Sequence, residues 1–150
     1  LFDLLTPDEE SDRANVFDIA LLAGRLGDAT RWVRDEPGRA DLGLGYFGAS
    51  TGAAAALWAA AGDPNVAAVV SRGGRPDLAG TALSQVTAPT LLIVGSLDPV
   101  VIGLNEQALR HLRCEAQFEI VPGATHLFEE PGALEQVAAL ALRWFRRWLN

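Results

Sequence analysis

Three residues carry chemistry if the fold brings them together. Ser50 sits in Gly48-Ala49-Ser50-Thr51-Gly52, Asp98 in Gly95-Ser96-Leu97-Asp98-Pro99, and His126 in Pro122-Gly123-Ala124-Thr125-His126. Each turn-rich stretch directly follows an apolar run. A serine hydroxyl is a poor nucleophile near neutral pH until a base takes its proton. Histidine, with its near-neutral pKa, can accept that proton and later deliver it to a leaving group. A carboxylate fixes the imidazole tautomer and stabilises the imidazolium. Asp98 follows Ser50 by 48 residues and His126 follows Asp98 by 28, so only tertiary structure can assemble the set. Singly, each residue also reads as an ordinary turn or loop residue. The other histidine, His111, falls in a helix beside Arg110 and is read as a surface residue.

The elements that must position these residues follow from pattern. Leu42 to Phe47 is an apolar strand, and the alanine-rich run from Thr51 to Ala61 is a helix stopped by Gly62. Gly-x-Ser-x-Gly between them fits a nucleophile elbow, with the serine in a strained turn. Gly48 and Gly52 are both expected to be places where a Cβ would collide. Val66 to Ser71 and Thr90 to Val94 are uninterrupted apolar strands, as expected when both sheet faces are covered. Gln117 to Val121 is the last strand, and Leu1 to Leu5 reads as a short first one.

Thr6-Pro7-Asp8-Glu9 has the form of a helix start. Asn15 is expected to cap a helix from Val16 to about Arg34, with Ile19, Leu22, Ala23, Leu26, Ala29 and Val33 on its inner face and Trp32 near it. Ala79 to Val86 is weakly helical and Leu104 to Leu112 helical. From Pro131 the chain is helical, with Leu134, Val137, Ala138, Ala141, Leu142 and Phe145 inward. The alternation predicts an α/β fold: a mostly parallel sheet of about five strands with helices on both faces. Ligands of such sheets bind at the carboxyl ends of the strands. Ser50, Asp98 and His126 all fall there, in the chain order of an α/β-hydrolase triad.

Composition narrows the partners. The 150 residues carry a formal charge of -7, with 12 Lys+Arg against 19 Asp+Glu. An acidic surface repels phosphate backbones, so no nucleic acid is expected. No apolar run approaches the length of a membrane span, so no membrane partner is expected. One cysteine, Cys114, excludes an internal disulfide and fits a reducing, cytoplasmic compartment. The acidic cluster Asp8, Glu9, Glu10 and Asp12 reads as a solvated turn, and neither metal nor cofactor is expected.

At Gly-Tyr-Phe-Gly-Ala-Ser-Thr-Gly (45 to 52), Pro-Thr-Leu-Leu-Ile-Val-Gly-Ser-Leu-Asp (89 to 98) and Val-Pro-Gly-Ala-Thr-His-Leu-Phe (121 to 128), the chain resembles the dienelactone-hydrolase-like branch of the α/β-hydrolases. It is most similar to small hydrolase domains that occur alone or fused to a phosphoribosyltransferase domain. The resemblance implies a serine hydrolase acting on a small ester, lactone or thioester, with a non-catalytic scaffold or interaction module as the alternative. Dienelactone hydrolases proper use cysteine as nucleophile. Ser50 stands there in this chain, so a generic ester or lactone is expected.

The resemblance also implies that residues 1 to 150 form a single hydrolase-like domain lacking the first strands of the fold. An exposed strand edge would then pair with a preceding segment or a second copy. Thr51 would supply one oxyanion donor through its backbone N–H. The second would come from outside this chain, at a cost of roughly 3 kcal/mol in transition-state stabilisation. Arg72 and Arg75, around Gly73-Gly74 after the strand that follows the elbow, are candidate substrate-binding residues for an anionic group. Their alternatives are a solvated pair, or Arg75 bridged to Asp77.

Overall fold

A computed structural model of the chain describes residues 2–39 and 42–149. Its centre is a parallel sheet of β1 (Leu44–Ala49), β2 (Val66–Arg72), β3 (Thr90–Gly95) and β4 (Ala116–Val121), in the spatial order β1-β2-β3-β4. Every neighbouring pair is parallel, so each strand must be followed by a crossover on a face of the sheet. The central strands are buried on both sides: all six residues of β3 are buried. Alternate side chains feed two cores. Val69 and Leu92 face one, and Val70, Leu91 and Ile93 face the other.

The first core is closed by α3 (Ile19–Asp35), α4 (Thr51–Ala61), α5 (Pro99–His111) and a 3-10 segment, Pro76–Gln85. In α4 the residues Ala53, Ala54, Ala55, Ala56, Leu57 and Ala60 are buried. Small side chains let this helix lie close to the strands that carry it, which the elbow needs. The second core is closed by α6 (Ala133–Trp148), whose Val137, Ala141 and Trp144 are buried. The Trp144 indole N–H donates to the Pro89 carbonyl at 3.2 Å and pins the helix to the start of β3. Helices thus cover both faces, and the fold is that of an α/β-hydrolase. Among the described residues no helix is long and apolar enough to cross a membrane.

Several expectations need correcting. The sheet has four strands among the described residues, not five. Leu1 lies outside them, and residues 2–5 form an irregular bend. Leu4 and Leu5 pack on the first core, and the Leu4 carbonyl accepts from Arg25 at 3.1 Å in place of a strand partner. Thr6 does cap α1 (Pro7–Glu10) through a complete capping box with Glu9. Asn15 caps nothing. Asp12 caps α2 (Arg13–Val16), and Asp18 caps α3 by accepting from Leu21 N–H at 3.0 Å. Trp32 is 61% exposed, not packed. On α6 the inner face is rotated from the expected one: Leu134 and Leu142 are half exposed, and Trp144 takes their place.

Candidate active site

Ser50 stands between β1 and α4 with φ 50° and ψ −124°. Such a conformation in a non-glycine residue costs about 1–3 kcal/mol and persists only where its surroundings over-determine it. Three backbone bonds do so here. Ser50 N–H donates to the Arg72 carbonyl at 3.4 Å, and the Ser50 carbonyl accepts from Arg75 N–H at 3.0 Å and from Ala53 N–H at 3.2 Å. The serine side chain makes no capping bond to α4, so its hydroxyl is not spent on the helix. Of the two glycines flanking it, Gly48 is sterically required. A Cβ there would lie 2.4 Å from the Gly52 carbonyl oxygen and 2.7 Å from the Ala53 backbone. Gly52 is not, since a Cβ there meets nothing within 4 Å.

Asp98 and His126 come together at the ends of β3 and β4. Their loops are laced by three bonds: Ser96 N–H to the Val121 carbonyl (3.0 Å), Leu97 N–H to the Ala124 carbonyl (2.9 Å), and Gly123 N–H to Ser96 Oγ (2.8 Å). Asp98 caps α5, and Pro99 takes the first helical position, so the helix begins five residues earlier than expected. One carboxylate oxygen, Oδ1, accepts from Val101 N–H at 3.4 Å. The other, Oδ2, lies 2.7 Å from His126 Nδ1. An ionised carboxylate only accepts, so Nδ1 carries the imidazole proton and Nε2 keeps a free lone pair. The Asp98 side chain is 14% exposed and that of His126 41%. The carboxylate is thus sheltered while the imidazole is more open to solvent.

Glu130 braces the same loop by accepting from Thr125 N–H at 3.1 Å. Hydrogen bonds from the Thr125 side chain and backbone hold its carboxyl below the ordinary carboxylate range. Ser50 and His126 are not hydrogen-bonded to one another. Such bonds are commonly loose in an unliganded site and tighten when substrate binds. Thr51 opens α4, so its backbone N–H is one of the helix's unpaired donors and sits at the positive end of the dipole. It also lines a groove of about 620 Å³ along the outer edge of β1, together with Ala49, Phe47, Leu26 and Leu5. That groove adjoins the elbow but contains neither Asp98 nor His126.

The two candidate arginines are engaged within the protein. Arg75 forms a bidentate pair with Asp77, Nε at 2.9 Å and Nη2 at 2.8 Å. Arg72 donates from Nη1 to the Leu127 carbonyl at 3.3 Å. Sequence reasoning missed Ser96, Glu130 and Asn105. Asn105 is fully buried on α5 and donates to the Gly74 carbonyl at 3.0 Å and the Val101 carbonyl at 2.8 Å. Its spacing on the inward face of the helix was the only available signal. His111 is exposed, as expected.

The family model for the dienelactone hydrolase family matches residues 12–150. A solved dienelactone hydrolase from Anabaena variabilis superposes with a TM-score of 0.92 at 55% identity, covering 99% of this chain and 71% of that one. An alpha-beta serine hydrolase homologue from Coxiella burnetii, at 23% identity and a TM-score of 0.71, covers 84% of this chain and 59% of its own and shares the fold. A Mycobacterium tuberculosis protein, provisionally named a phosphoribosyl transferase, is 66% identical over 147 residues. That stretch is 97% of this chain and 33% of the relative, so the chain spans about a third of the length of the curated relatives it matches. On the sheet, the elbow and these matches together, the chain belongs to the dienelactone hydrolase family.

Proposed function

We propose that this protein is a serine hydrolase of small esters, lactones or thioesters, working through an acyl-enzyme at Ser50. The observation that carries the reading is the 2.7 Å contact between Asp98 Oδ2 and His126 Nδ1, at the same sheet edge as a strained serine. His126 Nε2 takes the Ser50 proton as Oγ attacks the substrate carbonyl. Asp98 holds the tautomer and stabilises the imidazolium that results. The Thr51 N–H stabilises the oxyanion. The imidazolium then protonates the leaving group, and water, deprotonated by the same histidine, releases the acid and restores Ser50. The transferase name is carried by chains about three times as long, and the region they share with this chain is the one matched by the hydrolase family. We therefore assign acyl-transfer chemistry, not phosphoribosyl transfer, to these residues.

The test uses the full natural polypeptide, a fluorophosphonate probe and an activated acetate ester. Labelling and turnover are expected in the wild type, with both lost in Ser50→Ala and His126→Ala. A folded wild type that neither labels at Ser50 nor turns over ester would remove the reading. It would favour the alternative, a non-catalytic α/β module. Ester turnover that disappears in Ser50→Ala decides against that module.

A further inference from the structure

Arg72 is the last residue of β2, the strand that separates the serine-bearing β1 from the aspartate-bearing β3. It stands opposite Ala49 on one side and Ile93 on the other. Its carbonyl accepts from Ser50 N–H. Its guanidinium reaches across the site: Nη1 donates to the Leu127 carbonyl at 3.3 Å, and Cζ lies 5.5 Å from the centroid of the Phe128 ring. Leu127 and Phe128 directly follow His126. Phe128 is 1% exposed and has φ 59°, so its conformation is strained and its ring cannot shift freely.

The next residue completes the arrangement. Gly73 has φ 51° and donates to the Ile93 carbonyl at 2.8 Å. A Cβ at Gly73 would lie 3.1 Å from the His126 carbonyl oxygen and 3.3 Å from Phe128 Cε2. The histidine loop therefore rests directly on the Arg72-Gly73 turn. The loop's other ties, to Ser96, Leu97 and Glu130, hold the segment before His126. After it, the buried Phe128 anchors the chain and donates its N–H to the Thr125 carbonyl at 3.3 Å, and Arg72 ties this segment to the strand beside the serine turn. A misplacement of about 1 Å in a reacting group costs up to a hundredfold in rate.

We propose that Arg72 is a positioning residue: through one main-chain and one side-chain bond it sets the separation of the Ser50 turn from the His126 loop. This rests on the serine-hydrolase reading. It differs from a role in gripping an anionic substrate, because Nη1 and the cationic face are directed at Leu127 and Phe128. The face of the Phe128 ring attracts the cation above it. Lysine keeps part of that contact but not the planar, forked donor geometry.

The experiment compares wild type, Arg72→Gln and Arg72→Lys in the full natural polypeptide. The readouts are kcat per titrated active site and KM, for a neutral and a carboxylate-bearing nitrophenyl ester, and the downfield proton resonance of His126 Nδ1. His126→Ala assigns that resonance. In Arg72→Gln, kcat is expected to fall about tenfold or more for both esters, with KM within about twofold, and the resonance to broaden or disappear. Arg72→Lys should recover part of each. A merely structural role would lower the titratable fraction but leave kcat per site unchanged. A rise in KM confined to the carboxylate ester, or an unchanged kcat and resonance in Arg72→Gln, overturns the proposal. If the wild type shows no Ser50-dependent turnover, the hydrolase reading fails by itself and the resonance alone decides the positioning role.

Discussion

Alanine at Gly48 and alanine at Gly52 should have opposite consequences, although the two glycines occupy equivalent places in the Gly-x-Ser-x-Gly motif. At Gly48 the new Cβ would stand 2.4 Å from the Gly52 carbonyl oxygen and 2.7 Å from Ala53 N and Cα. All three obstacles are backbone, and they belong to the first turn of α4, so no side chain can swing aside. The helix must move off β1, and Ala53 to Leu57 lose contact with the sheet, where each is at most 1% exposed. Overpacking of this kind typically costs about 1–3 kcal/mol, and the upper end applies where only backbone can yield. For a chain of this length that corresponds to a drop in Tm of roughly 6–12 °C.

At Gly52 the Cβ meets nothing within 4 Å, and the residue lies inside α4. Alanine there gains helix propensity, worth up to about 1 kcal/mol. Chemical denaturation midpoints and fluorophosphonate labelling rates check both variants. Gly48→Ala should unfold earlier and label slowly, because the turn that aims Ser50 has opened. Gly52→Ala should be at least as stable as wild type. A Gly52→Ala variant as damaged as Gly48→Ala would refute the steric argument.

Three further outcomes are expected. Thr30 Oγ1 donates to the Leu26 carbonyl and accepts from the buried Tyr46 hydroxyl at 2.8 Å. Thr30→Val orphans that hydroxyl and should cost about 1–3 kcal/mol, whereas Tyr46→Phe leaves no donor unpaired and should cost about 1 kcal/mol or less, by urea unfolding. Arg25 first, then the Thr6 backbone and hydroxyl, holds the Glu9 carboxyl at about 2, below its ordinary 4.5. The folded-state pKa is the lower one, so the stabilisation is present above about pH 4.5 and lost as pH falls towards 2. The unfolding midpoints of wild type and Glu9→Gln should converge over that window. Asp98→Asn should leave the fold intact but favour the wrong imidazole tautomer, lowering kcat about 10³–10⁴-fold. An unchanged kcat would remove Asp98 from the site.

The parts of this molecule legible in the sequence are those whose cause is local. α4 runs from Thr51 to Ala61 as its sequence implies, because the residues that bound it, Ser50 and Gly62, are its chain neighbours. The apolar runs at Val66 and Thr90 are buried strands as their pattern implies, and Ser50, Asp98 and His126 lie just past the runs that start at Leu42, Thr90 and Gln117. Where burial depends on a distant partner, the pattern misled. Leu1 to Leu5 has strand-like residues, yet the Leu4 carbonyl is satisfied by Arg25. Leu142 is as apolar as Trp144 by pattern, yet Trp144 is the buried one and donates its indole N–H to the Pro89 carbonyl. Asp98-Pro99 also carries the signal of a helix start, which neither the turn nor the triad reading of Asp98 uses. The aspartate does both: one oxygen caps α5 and the other faces His126. The braces at Ser96 and Arg72 join loops far apart in sequence, and no local pattern marks them.

Because the strands stand in space in the order in which they occur in the chain, the site is also assembled in the order of synthesis. A polypeptide emerging from the ribosome presents Ser50 on β1 first, then Arg72 on β2, then Asp98, and His126 only once β4 has been made. Each strand finds its neighbour already in place and need not wait for a later segment to be threaded between. On the proposed reading, Ser50 therefore remains an ordinary alcohol for part of translation, and it gains its base only when the strand before His126 has docked.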